Sequence, residues 1–250
     1  MTRILIVEGN TSDLTARRRV SGLKGVAEAY GDALRRFAPG IKIEIARPYF
    51  EGWSGDAIEM TGFDGMAVTG SGVEWSAADK RAEPFWRLYE QAFAASVPVL
   101  GCCWGLQNGA VVLGGDTTAG PNGVELGFAR DLTLTEAGRK HPLHAGRTSV
   151  FDALCIHRDD VTRVPKGAVI TASNAHTTVQ GMVYEVGDIS FWGVQYHPEM
   201  DLYDVAYCFR RPSLAHTDPE GSLVETAARL EEIAKTPDTT ISVQESLGIG

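Results

Sequence analysis

The stretch Val97-Pro98-Val99-Leu100-Gly101-Cys102-Cys103-Trp104-Gly105-Leu106-Gln107 sets two thiols between two glycines. An apolar strand ending near Gly101 and a helix opening at Gly105 leave Cys103 centred in a sharp turn. Small residues on either side let the backbone fold back and hold the central side chain out in a strained conformation, the arrangement of a nucleophile elbow. The same turn places the thiol at a helix N-terminus, where the dipole favours thiolate. Cys102 is off-centre and is expected to point the other way, into packing. Taken alone, both cysteines also fit the role of small core hydrophobes.

A thiolate needs a base. Phe191-Trp192-Gly193-Val194-Gln195-Tyr196-His197-Pro198-Glu199 reads as a strand ending in His197, with a carboxylate two residues on. His197 can take a proton and later return it to a leaving amine, and Glu199 can orient the imidazole. A third fragment, Val68-Thr69-Gly70-Ser71-Gly72, is a turn that exposes backbone N–H groups. With the N–H of Trp104 it can form an oxyanion hole over Gly70 and Ser71. Neither GxGxxG nor GxxxxGK[ST] is present, so the turn is not a nucleotide cradle. A zinc site is the competing use of Cys, His and Glu, but their spacing fits no zinc pattern, and no metal is expected.

These residues need a frame to bring them together. Arg3–Val7 is a short β-branched run before Glu8-Gly9-Asn10, a buried strand and turn. Apolar positions at Val20, Leu23, Val26, Ala27, Tyr30, Leu34 and Phe37 predict a helix over 20–38, stopped by Pro39-Gly40. Strands follow at 41–45, 66–68 and 97–100, with helices over 83–95 and 105–113. This alternation predicts an α/β fold with a mostly parallel central sheet and flanking helices. Beyond residue 120, short strands at 131–134, 168–172, 181–185 and 189–194 predict a smaller antiparallel region. Helices are expected from Leu202 and over 223–234. The expected organisation is one domain over 1–235 and a polar tail over 236–250.

Composition narrows the classes. The chain has 250 residues, 44% hydrophobic, enough for a core without disulfide staples. A net charge of −9 offers no concentrated basic face for nucleic acid. The dense basic run, Arg17-Arg18-Arg19, reads as a solvated patch. Cys102, Cys103, Cys155 and Cys208 include no CxxC pair, which predicts a reduced, cytoplasmic protein. No apolar run approaches the roughly 20 residues of a membrane helix. His141 and His144 flank Pro142 in a polar loop and are expected to be exposed. His176 is a weak candidate for lining a pocket, and Trp53 and Trp75 read as core or lid residues.

In combination, Gly101-x-Cys103-x-Gly105-x-Gln107 and Gly193-Val194-Gln195-Tyr196-His197-Pro198-Glu199 resemble the class I glutamine amidotransferases. The resemblance extends to the turn at Gly70-Ser71-Gly72 and to Ile156-His157-Arg158-Asp159-Asp160-Val161, which looks like the family's Ser-His-x-Asp-x-Val stretch. It covers roughly residues 60–200 and is nearest the amidotransferase domain of GMP synthase and its stand-alone relatives. It implies a flavodoxin-like sheet and a Cys103–His197–Glu199 triad. It also implies an oxyanion hole at Gly70, Ser71 and Trp104, with Gln107 and His157 near the bound glutamyl group. The chemistry it implies is attack on a side-chain amide, through a glutamyl thioester, on glutamine or a γ-glutamyl amide. No cofactor is required.

Three positions depart from the family pattern: Trp104 after the nucleophile, Gly-Ser-Gly at the turn, and Ile156 before His157. Trp104 either walls the leaving-group side, favouring an apolar amine, or packs into the core. The open partners are a separate synthase subunit fed with ammonia and a second copy of this chain. The alternative function is a catalytically silent regulatory module of the same fold.

Overall fold

The computed structural model describes residues 1–54, 58–211 and 222–235. Strand β1 (Arg3–Val7) pairs in parallel with β2 (Lys42–Ala46) on one side and β3 (Gly65–Val68) on the other. Strand β4 (Val99–Cys102) continues the parallel block beside β3. Helix α3 (Glu83–Ala94), with Pro84 in its first turn, joins β3 to β4, and helix α4 (Trp104–Val112) follows β4. The chain returns much later as β11 (Ile189–Val194), also parallel to β4. The architecture is α/β with a parallel block and flanking helices.

Strand β11 is also the pivot of the sheet. Its far edge pairs antiparallel with β10 (Gly181–Val186), which leads to β9 (Val169–Ser173), β6 (Glu125–Leu134) and β7 (Val150–His157). Among the described residues the sheet has nine strands in the order β2-β1-β3-β4-β11-β10-β9-β6-β7. A separate antiparallel pair joins β5 (Asp116–Ala119) to β8 (Asp159–Arg163). The antiparallel region is thus largely an extension of the parallel sheet.

Alternation along the strands separates two cores, because successive side chains leave opposite faces. Leu5, Val7, Met66, Val68 and Val99 pack with Phe85, Leu88 and Tyr89 of α3 and Leu106 of α4. Ile6, Ala67, Cys102 and Val194 face the other way, against Ala27 and Tyr30 of helix α2 (Val26–Phe37). Cys102 therefore points into packing, its Sγ 3.1 Å from the Tyr30 hydroxyl.

Several expectations are corrected. The helix expected over 20–38 starts later, as α2 at Val26, and Val20 belongs instead to a separate, unexpected helix α1 (Ser12–Val20), the two parted around Gly22, whose φ is +81°. Val20 and Phe37, counted as apolar-face positions, are each 90% exposed. Helix α1 carries too many charges to show a stripe. Its start is set by Thr11, whose side chain accepts from Leu14 N. Arg18, within the run read as a solvated patch, is buried and donates from Nε to the Lys24 carbonyl. His144 is also buried, because residues 136–144 form a short helix α5 (Glu136–Lys140) and a 3-10 turn rather than an open loop. Its Nε2 lies 2.9 Å from Thr171 Oγ1.

The described chain divides into two compact units after His197. In the second, α6 (Leu202–Phe209) and α7 (Ser222–Lys235), both expected as helices, pack together. Asp201 caps α6 by accepting from Tyr203 N and Asp204 N, and Arg210 pairs with Glu231 across the two helices. The tail expected over 236–250 lies outside the described residues. Among the described residues no helix is long and apolar enough to cross a membrane.

Candidate active site

Strands β3, β4 and β11 are parallel neighbours, with Val68 beside Gly101 and Cys102 beside Val194. Their C-terminal ends therefore open at one edge, where ligands bind in open α/β sheets. The turn at 69–72 leaves β3 there, Cys103 leaves β4, and His197 follows β11.

Cys103 occupies a backbone conformation that few non-glycine residues adopt, φ +50° and ψ −109°. Its N–H donates to the Val194 carbonyl at 2.8 Å, and its carbonyl accepts from Gln107 N at 3.1 Å, so β11 and α4 clamp the turn from both sides. The flanking glycines are required by close approach. A Cβ on Gly101 would lie 2.6 Å from the Gly105 carbonyl carbon, and one on Gly105 would lie 2.3 Å from the Val68 oxygen.

Gly70 lies close to both Cys103 and the His197 ring. A Cβ there would lie 3.4 Å from Cys103 Cβ and 2.5 Å from His197 Cε1. Cys103 and His197 are both buried to within a few per cent. The His197 backbone N–H donates to the Leu154 carbonyl at 2.8 Å, which ties the end of β11 to β7. Glu199, half-buried, lies two residues on, in the second unit.

The turn at 69–72 is braced by the loop after β1. Thr69 Oγ1 accepts from Gly9 N, Ser71 Oγ donates to the Gly9 carbonyl, and Asn10 Oδ1 accepts from Gly72 N. Ser71 thus uses its hydroxyl to hold the turn. Trp104 is the first residue of α4, so its N–H has no acceptor within the helix. Its ring, 4% exposed, stands edge-on to Phe85 with centroids 4.6 Å apart and lies 6.0 Å from Tyr49. The Trp104 ring is thus packed into the core beneath α3.

Gln107 is buried and donates from Nε2 to the Asp159 carbonyl at 2.7 Å and to Gln195 Oε1 at 3.3 Å. It links α4 to the starts of β8 and of the segment leading to His197. His157, at the end of β7, is buried among polar groups that the sequence does not single out. Its Nε2 lies 2.7 Å from Glu125 Oε2 and its Nδ1 3.2 Å from Asp160 Oδ1. Glu125 also accepts from Asn174 Nδ2 and Gln180 Nε2. Burial opposes a charge on His157. The Asp160 and Glu125 carboxylates outweigh it, with help from the Cys103 sulfur, and push the imidazole up to about 9. Burial likewise works against the Glu125 carboxylate, yet His157 and Asn174 hold it below the usual range. His176 stands edge-on to His157, centroids 5.6 Å apart. The Cys103 Sγ donates to the Ile156 carbonyl at 3.4 Å.

This arrangement supplies a strained thiol, an imidazole beside a bare glycine, and helix N-terminal donors, the parts of a cysteine nucleophile site. The family model described as glutamine amidotransferase class-I matches residues 48–205. A gamma-glutamyl-L-1-hydroxyisopropylamide hydrolase of a Pseudomonas species is 35% identical over 93% of this chain and 79% of its own length. The GMP synthase of Cronobacter sakazakii is 34% identical over 61% of this chain, a match spanning 29% of that enzyme. The solved structure of a glutamine amidotransferase from Thermotoga maritima shares the fold, with a TM-score of 0.68 at 19% identity over 93% of this chain and 92% of that one.

Proposed function

Because the chain belongs to the class-I glutamine amidotransferase family, we propose that it hydrolyses the side-chain amide of glutamine or of a γ-glutamyl amide, with Cys103 as nucleophile. The observation that carries this reading is the convergence of Cys103 and His197 on Gly70 at one edge of three adjacent parallel strands.

In this reading the Cys103 thiolate attacks the γ-carbonyl carbon. The N–H groups of Trp104 and of the Gly70-Ser71 turn face the developing oxyanion. His197 protonates the departing amine, leaving a glutamyl thioester, and then takes a proton from the water that hydrolyses it. Glu199 has the role the resemblance implies for it, orienting the His197 imidazole. Gln107 and His157, both engaged with protein groups, shape the site through its frame.

The hydrolase relative aligns with nearly the whole chain, which supports an N-substituted γ-glutamyl amide as substrate. The synthase relative supports a second reading, in which the chain passes ammonia to a separate synthase. All four cysteines stand as buried thiols, which suits a cytoplasmic setting. Glutamate release by the isolated chain, from glutamine and from a γ-glutamyl alkylamide, separates the readings. A kcat/KM at least tenfold higher for the alkylamide is expected. A preference for glutamine supports the synthase subunit, and no release from either supports the silent module.

A further inference from the structure

The end of β7 brings a second set of charges to the nucleophile. Ile156 accepts the Cys103 Sγ–H, and the next residue is His157, its side chain 1% exposed. Both ring nitrogens of His157 face carboxylate oxygens, Nε2 toward Glu125 and Nδ1 toward Asp160. A neutral imidazole leaves both carboxylates without a cation, whereas the imidazolium sets a positive charge within 3.2 Å of each. The groups packed around the ring are Glu125 from β6, Asp160 from β8, Cys103 from the start of α4, and His176 from the turn after β9. Glu125 is held by the neutral amides of Asn174 and Gln180, and the nearby Arg158 pairs with Asp159.

We propose that His157 is a positioning residue that keeps a positive charge beside Cys103 Sγ and so compensates the thiolate from which the reaction starts. This rests on Cys103 being the nucleophile. The elevated titration of His157 keeps that charge in place at neutral pH. With the imidazolium present, the cluster of His157, Glu125 and Asp160 carries one net negative charge. Without it, the two carboxylates held against His157 are uncompensated, and their charge opposes a thiolate at the nearby sulfur. Neutralising Asp160 instead leaves the imidazolium held by Glu125 at 2.7 Å, so the cluster carries no net charge and favours the thiolate. A merely structural role would move both substitutions in the same direction.

The test is alkylation of Cys103 by iodoacetamide in the full chain between pH 5 and 10, followed by mass spectrometry of the Cys103 peptide. For His157→Gln the rate at pH 7 is expected to fall tenfold or more, with the profile displaced to higher pH. For Asp160→Asn, an isosteric change, the profile is expected to move to lower pH. Either profile staying in place, or both moving the same way, overturns the proposal. If His157→Gln does not fold, Asp160→Asn decides alone. Alkylation needs no amide substrate, so glutamate release by the unaltered chain reads the functional proposal separately.

Discussion

Cys102 and Cys103 differ by one position along β4, and that difference decides their chemistry. Cys102 is the last strand residue and points to the α2 face, against Tyr30. Cys103 has left the strand for the elbow. Cys103→Ala is expected to abolish glutamate release, whereas Cys102→Ala keeps most of it; a release assay on the two variants checks this. Glu199→Gln is expected to slow turnover by about 10²–10⁴ while leaving the fold intact, as loss of an orienting carboxylate does in comparable triads. Steady-state kinetics beside a thermal melt separate the two effects. At this scale the sequence is legible where chemistry is set by local spacing. Gly101, Cys103 and Gly105 form the turn by themselves. The direction of the Trp104 ring depends on Phe85, 19 positions away, and no local signal fixes it. The Glu125 carboxylate beside His157 is hidden for the same reason, since it reaches the ring only through the pairing of β6 with β7.

Strands and turns set the distances at which those residues act. Gly70→Ala puts a methyl where the His197 ring lies, so the imidazole must move. Activity is expected to fall by about 10² or more with little change in stability, since misplacing a catalytic group by an ångström costs about that much. Circular dichroism and a release assay check the pair of outcomes. Gly105→Ala forces a methyl against the Val68 carbonyl, backbone against backbone, and is expected to destabilise the fold as well. Strands β3 and β4 are readable from the sequence because buried parallel strands are short apolar runs bounded by turns. Strand β11 is readable as a strand, but the sequence places it in the antiparallel region, and its parallel pairing with β4 is a long-range contact that no local signal fixes. Helix α1 is not readable, because its start is set by a Thr11 cap rather than by an apolar stripe. Strands β5 and β8 are too short and polar to separate from loop by periodicity.

Across the whole molecule, two buried histidines shape stability against pH in opposite ways. His157 is raised to about 9, so its contribution is complete below the unfolded value near 6.5 and is lost as pH rises through 9. At roughly 1.4 kcal/mol per pH unit the loss is on the order of 3 kcal/mol. Burial holds His144 neutral, down at about 4 beside His141 and Arg147, so stability falls as pH drops from 6.5 toward 4. Urea midpoints are expected to peak between pH 6 and 7. The alkaline decline should shrink in His157→Gln and the acid decline in His144→Gln.

Among the described residues β11 is the last strand in sequence, yet it lies between β4 and β10 in the interior of the sheet. A chain emerging from the ribosome therefore holds an open seam along β4 until β11, about 90 residues further on, has been made. Until β11 enters that seam, Cys103 lacks both the Val194 carbonyl that clamps its turn and the imidazole that follows the strand. Such long-range closure is slow and leaves an unpaired strand edge exposed meanwhile. The order of synthesis thus acts as a safety catch: a truncated or half-folded chain carries the thiol without its base, and reactivity arrives together with completion of the sheet.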